Sequence, residues 1–209
     1  TKALLTQIVA TYLIGLYLAE VRGTLNSKEI SDIYNEMLEL PAKLEQILET
    51  VEPLRELTRK FAEKNTVLFL GRHVGYPVAL EGALKLKELA YIHAEGFAGG
   101  ELKHGPIALI ESGTPVIAIV PNTHEHGLDE KMLSNIQEVQ ARGASVIAIA
   151  TEGIEVPKAT HIIRIPNSSQ LLQPVLATVP LQVFAYEMAV TRGNDVDQPR
   201  NLAKSVTVE

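Results

Sequence analysis

Four runs of the sequence decide the fold: TVLFLG (66–71), PVIAIVP (115–121), SVIAIAT (145–151) and HIIRIP (161–166). Each is a short, largely continuous apolar stretch without the polar alternation of a half-exposed strand. Continuous Val/Ile-rich strands are typical of parallel sheets that are covered on both faces. We therefore predict that these runs are four strands of one parallel sheet.

Helical patterns lie between these runs. Residues 76–92, about 125–142 and about 170–192 carry apolar residues at helical spacing, and Gly143 is placed to end the second helix. Pro180 is expected to kink or divide the third helix, because proline lacks a backbone N–H. Strands that alternate with helices predict an α/β fold, a three-layer sandwich with a parallel sheet.

The residues before the first strand show only helical patterns. Asn26, with Glu29 three positions on, forms a capping-box pattern, and Pro41 and Pro53 each mark the start of a further helix. The longest apolar stretch, 3–19, contains three polar residues and a glycine. We therefore expect it to be a buried helix rather than a membrane span.

Composition excludes several classes of function. The formal net charge is -6, so no general electrostatic attraction to nucleic acid or to anionic membranes is expected. The sequence has no cysteine, which excludes disulfides, cysteine-based zinc sites and thiol catalysis. No signal-peptide pattern is visible, and a cytoplasmic protein is the default expectation.

The segment EGALKLKELAYIHAEGFAGGELKHGP (81–106) carries the candidate chemistry. Glu81, Lys85 and Glu88 have helical spacing and are predicted to share one face. On spacing alone a solvated salt-bridge face is the favoured interpretation. The alternative is a carboxylate ready for proton transfer, with its pKa tuned by the neighbouring ammonium.

A glycine-rich stretch with several charges follows that helix, and we predict a loop there. His104 is either a proton-transfer group or an ordinary surface histidine, and its sequence context leaves both open. Ligands of open parallel sheets bind at the carboxyl ends of the strands. We therefore expect the residues that follow the strands to lie near a ligand.

Other patterns favour structural interpretations. Gly71–Gly75 does not have the spacing of a dinucleotide or P-loop motif. His124 and His126 lack a suitably spaced third ligand and are predicted to lie in a polar loop rather than a metal site. Ser168 and Ser169 are expected to cap a helix rather than bind phosphate.

Residues 81–106 and the ending DVDQPRNLAKSVTVE (195–209) closely resemble the glutamine–fructose-6-phosphate aminotransferase (glucosamine-6-phosphate synthase) family, and the resemblance covers the whole chain. That family has a glutaminase domain followed by two flavodoxin-like sugar-isomerase (SIS) domains. The resemblance implies that residues 1–50 are a helical segment leading out of the first isomerase domain. It also implies that residues 51–194 are the second SIS domain and 195–209 a tail that closes over the active site.

The resemblance implies three catalytic residues. Glu88 would be the acid/base that moves a proton from C1 to C2 of the open-chain sugar through an enolamine-type intermediate. Lys204 would form a Schiff base with the ketose. His104 would assist ring opening in the site of a neighbouring subunit, which makes the intact enzyme a homodimer.

The resemblance further implies that Glu81, Lys85 and Ala203 line the site of fructose 6-phosphate and glucosamine 6-phosphate. No cofactor and no metal are expected. The family's Ser/Thr-rich phosphate loop and its glutaminase domain have no counterpart in this sequence. We therefore expect the chain alone to be inactive with glutamine and to bind the sugar phosphate weakly. A stand-alone sugar-phosphate isomerase and a non-catalytic SIS module that binds a sugar phosphate are the alternatives.

Overall fold

A computed structural model describes residues 2–49, 51–122 and 127–201. The chain begins with helices and continues as a sheet with covering helices. The helices are α1 (Lys2–Arg22), α2 (Ser27–Leu38), α3 (Leu40–Leu48), α4 (Val51–Phe61), α5 (Gly75–Ala90), α6 (Leu128–Gln140) and α7 (Gln173–Thr191). The strands are β1 (Thr66–Gly71), β2 (His93–Ala98), β3 (Pro115–Val120), β4 (Ser145–Thr151) and β5 (His161–Ile165). Two short 3-10 helices, Gly99–His104 and Pro106–Leu109, follow β2.

The strands form one parallel sheet in the order β2-β1-β3-β4-β5. Side chains of a strand point alternately to its two faces. In β1, Val67 and Phe69 join the core formed with α4, α5 and α7, whereas Leu68 and Leu70 join the core formed with α6. The predicted three-layer α/β sandwich with a parallel sheet and a preceding helical segment is therefore confirmed.

β2 is the element that the sequence did not reveal, because residues 93–98 were predicted as part of a loop. This strand pairs with β1 along its whole length, from Thr66 with His93 to Gly71 with Ala98. It lies at the edge of the sheet, and Ala94 is its one fully buried residue, while the four residues after Ala94 are partly buried. An edge strand needs fewer apolar side chains, so its sequence lacks the pattern of a central strand.

α7 runs without interruption through Pro180, so the expected division of this helix is wrong. Most of its residues are buried, Pro180 among them, between α4, α5 and the sheet. Tertiary packing of this kind offsets the loss of one backbone hydrogen bond. The capping box at Asn26 is confirmed, because its side chain accepts from the N–H of Glu29 while the Glu29 carboxylate accepts from the N–H of Asn26.

The prediction that the first apolar helix is buried is wrong for this chain. Between residues 3 and 22 of α1 only Leu16 is buried, and the exposed large apolar side chains are Leu13, Ile14, Tyr17, Leu18 and Val21. By length and hydropathy α1 and α7 could each cross a membrane, but core helices of soluble proteins meet the same two criteria. An apolar sequence shows that a helix needs apolar neighbours and does not show which neighbours it has.

A single glycine sets the distance between α5 and α7. A Cβ built at Gly82 would lie 2.7 Å from Cδ1 of Leu181 in α7 and 2.9 Å from Cε1 of Phe69 in β1. Both distances are shorter than carbon atoms tolerate, so no larger residue fits without displacing its neighbours. The helix therefore carries a poor helix former at this position because α7 and the sheet pack there.

We expect Gly82→Ala to lower the free energy of unfolding of this chain by about 1–3 kcal/mol, because the added methyl group overpacks the core. The matched control is Gly15→Ala in α1, where a new Cβ would have no atom within 4 Å. That change should raise the stability by up to about 1 kcal/mol through helix propensity alone. Urea denaturation measures both. Equal effects of the two substitutions would contradict the close packing at Gly82.

Candidate active site

Three of the four charged residues of α5 form one cluster on one face, as predicted. The Lys85 ammonium hydrogen-bonds to Oε2 of Glu88 and lies 3.8 Å from Oε1 of Glu81. Successive turns of the helix bring the three side chains together because the residues are four and three positions apart. A single ammonium thus bridges two carboxylates.

This cluster is not a solvated surface. The Lys85 side chain is only 13% exposed, Glu81 is 17% exposed and Glu88 is 29% exposed. Charges withdrawn from water to this degree interact more strongly than surface pairs do, and they cost more to bury. The interpretation favoured by spacing alone, a solvated salt-bridge face, is therefore wrong.

Burial raises the pKa of Glu81 above its ordinary value, the Lys85 ammonium lowers it, and the negative charge of Glu88 raises it again. The net shift is upward. Glu81 lines an apolar cavity of about 600 Å³ between α1 and α5. A carboxyl group in this environment can hold a proton closer to neutral pH than an ordinary one.

Glu88 lines a second cavity, of about 590 Å³, at the C-terminal end of α5. Tyr91 lies in the same wall, and Arg200 and Asn201 close it from the segment that follows α7. The start of the C-terminal tail and the candidate base therefore share one cavity.

His104 does not line the cavity of Glu88. α5 runs antiparallel to the strands, so Glu88 lies near the amino end of β2, whereas His104 follows the carboxyl end of β2. A strand of six residues separates its two ends by about 16 Å. His104 is exposed, and one chain does not bring it together with Glu88.

The charged cluster does not lie at the carboxyl ends of the strands, and a ligand site at those ends stays a prediction. The residues after β1, β3 and β5 do gather at the carboxyl edge, where Asn122 donates from Nδ2 to Oδ1 of Asn167 at 3.1 Å. The Glu81–Lys85–Glu88 cluster extends away from that edge along α5. The helix that connects two parallel strands crosses the full height of the sheet, so its end lies opposite its start.

Ala203 and Lys204, like His124 and His126, lie outside the described residues. Within 2–49, 51–122 and 127–201, no group of three metal-ligating side chains occurs.

Neither serine before α7 caps that helix, so that prediction is wrong. The Ser168 hydroxyl donates to Oε1 of Glu36 at 2.7 Å, and the Ser169 N–H donates to the same carboxylate oxygen.

Sequence reasoning missed two residues of the cavity at Glu88. Tyr91 ends α5 in the left-handed conformation (φ 56°, ψ 32°), and Arg200 contacts it from the start of the tail. The apolar pattern of the sequence places Tyr91 inside the predicted helix 76–92. No local signal indicates a contact between residues that lie 109 positions apart.

The sequence has identifiable relatives. A family model described as the SIS domain matches residues 60–192. The glutamine–fructose-6-phosphate aminotransferases (isomerizing) of Streptomyces coelicolor and Mycobacterium tuberculosis are 63% and 59% identical to this chain over 212 residues. Both alignments cover 100% of this chain and 34% of the relative. The chain thus spans about a third of the length of the curated relatives it matches.

Solved structures agree with this assignment. The C-terminal domain of glucosamine-fructose-6-phosphate aminotransferase from Francisella tularensis has a TM-score of 0.89 and 37% identity, covering 95% of this chain and 56% of that chain. The tagatose-6-phosphate ketose/aldose isomerase from Escherichia coli shares the fold, with a TM-score of 0.64 and 24% identity over 75% of this chain and 44% of that chain.

We expect Lys85→Met to lower the free energy of unfolding by about 1–3 kcal/mol at neutral pH, because two half-buried carboxylates lose their shared hydrogen-bonded cation. Without Lys85 the folded-state pKa of Glu81 rises further above 4.5. A carboxyl group whose pKa is higher in the folded than in the unfolded state contributes stability below its unfolded-state pKa. That contribution of Glu81 is lost as the pH rises through its folded-state pKa. The deficit should therefore be small in acid and largest near pH 7.

Lys87→Met is the matched control, since Lys87 is an exposed lysine of the same helix. Denaturation curves between about pH 4 and pH 7 span the titration of glutamate and measure both variants. A deficit independent of pH, or one equal in the two variants, would show that Lys85 does not hold the two carboxylates.

Proposed function

The chain belongs to the SIS domain family, and from this we propose that it is the C-terminal isomerase part of an enzyme that makes glucosamine 6-phosphate. The substrates are fructose 6-phosphate and ammonia derived from glutamine, as the names of its relatives suggest. The observation that carries the proposal is the half-buried Glu81–Lys85–Glu88 cluster beside the start of the C-terminal tail.

Glu88 is the acid/base of the isomerisation. Once an imine has formed at the ketone carbon, its electron withdrawal acidifies the C–H bond at C1, so a carboxylate suffices as the base. Glu88 removes that proton and returns it at C2. The hydrogen bond from Lys85 orients the carboxylate, and the exposure of Glu88 toward the cavity leaves it accessible to a sugar.

Lys204 provides the amine of the Schiff base, with water as the leaving molecule. The amine must be neutral to attack, so the closed site has to shield it from water. Arg200 lies at the cavity of Glu88, and four residues of chain extend at most about 14 Å from there to Lys204. The tether is therefore short enough to bring Lys204 to a sugar bound beside Glu88.

The remaining residues of the proposed site line the substrate. Glu81 and Lys85 lie beside Glu88 on the same face of α5, and Ala203 belongs to the tail that closes over the sugar. The reaction needs no cofactor and no metal, because the imine supplies the electron withdrawal. A polar tail that closes after the sugar enters excludes water from the imine.

A homodimer completes the site by supplying His104 from the neighbouring subunit. Two observations support this arrangement. His104 is exposed, and it lies at the opposite end of β2 from Glu88 within one chain. A histidine placed this way can assist ring opening only in the site of a second copy.

Further domains complete the enzyme. A glutaminase domain supplies the ammonia, and a first SIS domain supplies the phosphate-binding loop and covers the exposed face of α1. Residues 1–50 lead out of that first domain, residues 51–194 form the second SIS domain, and residues 195–209 form the tail. The enzyme acts in the cytoplasm.

In the full-length enzyme, Glu88→Gln should reduce isomerisation by about 10²–10⁴-fold, because the amide cannot carry the proton between C1 and C2. Binding of fructose 6-phosphate should persist, since the amide keeps the shape of the side chain. Glu63→Gln is the control, an exposed carboxylate outside the cluster. Turnover of the Glu88→Gln enzyme at the wild-type rate would exclude the proton-transfer role.

Borohydride added with fructose 6-phosphate should attach the sugar covalently to Lys204 of the full-length enzyme, because reduction traps a Schiff base as a stable amine. Peptide mass spectrometry locates the modified lysine, and Lys204→Arg should abolish the label. A label on another lysine, Lys85 for example, would refute the assignment of the amine.

A further inference from the structure

The segment that follows α7 is fastened along the C-terminal end of α5. Nδ2 of Asn194 donates to the carbonyl oxygen of Leu89 at 3.2 Å. Oδ1 of Asp195 then accepts from the backbone N–H of Asp197 at 2.9 Å, which folds the next residues into a turn. Val196 packs against the core beside this turn. The chain therefore leaves α7 with a defined path toward the cavity of Glu88.

The last of these attachments joins Tyr91 and Arg200. The backbone N–H of Arg200 donates to the Tyr91 hydroxyl at 2.8 Å, and the Arg200 guanidinium carbon lies 4.0 Å from the centroid of the Tyr91 ring. One aromatic side chain thus binds both the backbone and the side chain of the same residue, by a hydrogen bond and by cation–π attraction. We call this pair the Tyr91–Arg200 clasp.

Tyr91 occupies a position that normally favours glycine. It ends α5 in the left-handed region, with φ 56° and ψ 32°, where a side chain with a Cβ is strained. Glycine would relieve that strain but would remove both contacts to Arg200. A strained residue whose side chain holds a distant segment indicates that the contact serves a purpose beyond ending the helix.

We infer that the Tyr91–Arg200 clasp positions the C-terminal tail so that Lys204 reaches the sugar beside Glu88. This inference rests on the proposed function. The clasp holds the base of a tether of four residues, at most about 14 Å long, at the wall that Glu88 also lines. A short tether anchored at the site raises the effective concentration of the amine there. Tyr91 and Arg200 are positioning residues, and neither takes part in the chemistry.

The variants separate the two contacts of the clasp. Tyr91→Phe removes the acceptor of the Arg200 N–H and keeps the ring. Arg200→Lys keeps the N–H and the charge but removes the planar stacking group. Tyr91→Leu removes both contacts. Tyr34→Leu is the control, an exposed tyrosine in α2 remote from the cavity.

Each variant of the full-length enzyme is assayed for the rate of borohydride trapping of fructose 6-phosphate on Lys204 and for binding of the sugar. At saturating fructose 6-phosphate, Tyr91→Leu should slow trapping about tenfold through the lost effective concentration, with thermal stability close to wild type. Tyr91→Phe and Arg200→Lys should each show an intermediate loss, and Tyr34→Leu none. Trapping in Tyr91→Leu at the wild-type rate would overturn the positioning role.

Amide hydrogen exchange tests the clasp independently of Lys204. The Arg200 N–H should exchange faster in Tyr91→Phe and Tyr91→Leu than in wild type and Tyr34→Leu, because its acceptor is gone. If wild-type enzyme traps no sugar on Lys204, the proposed amine and the positioning role both fail, while faster exchange still establishes the clasp. Unchanged exchange of the Arg200 N–H would overturn the clasp itself.

Discussion

The close packing of α5 against α7 at Gly82 is the contact on which the rest of the structure depends. α5 carries the charged cluster, and α7 delivers the chain to the segment that holds Arg200. Because Gly82 has no side chain, Leu181 of α7 and Phe69 of β1 pack directly against the backbone of α5, and the relative position of the two helices has little freedom. The cavity at Glu88 is lined by the C-terminal part of α5 and by Arg200 and Asn201 in the segment that follows α7, so its shape depends on how the two helices are held together.

Burial of the charged cluster has both a cost and a use. Lys85, with two carboxylates around it, loses hydration on a helix face that could have been apolar. Such an arrangement stabilises a fold less than hydrophobic packing would. It does raise the pKa of Glu81 and orient Glu88, and these are properties that proton transfer requires. The cluster therefore fits the proposed proton transfer better than a role in stability alone.

The geometry of a parallel sheet explains why one chain holds only part of the proposed site. The connection from β1 to β2 places the end of α5 at the amino edge, and β2 then returns the chain to the carboxyl edge before His104. Residues that are 16 positions apart in sequence thus lie at opposite edges. The exposed apolar face of α1 agrees with this, because the described residues of the chain leave Leu13, Ile14, Tyr17, Leu18 and Val21 exposed. Both features agree with the larger assembly proposed above.

The sequence by itself determined the strands at 66–71, 115–121, 145–151 and 161–166 and the shared helical face of Glu81, Lys85 and Glu88. These features depend on local periodicity, which a sequence displays directly. It also carried the resemblance through two long motifs. Only the tertiary structure decided that residues 93–98 are a strand, that α7 continues through Pro180 and that the charged cluster is half-buried. It alone placed His104 at the edge opposite Glu88 and brought Arg200 to Tyr91. Each of these outcomes depends on contacts between distant segments, and their energies are set by packing and hydration that no local pattern records.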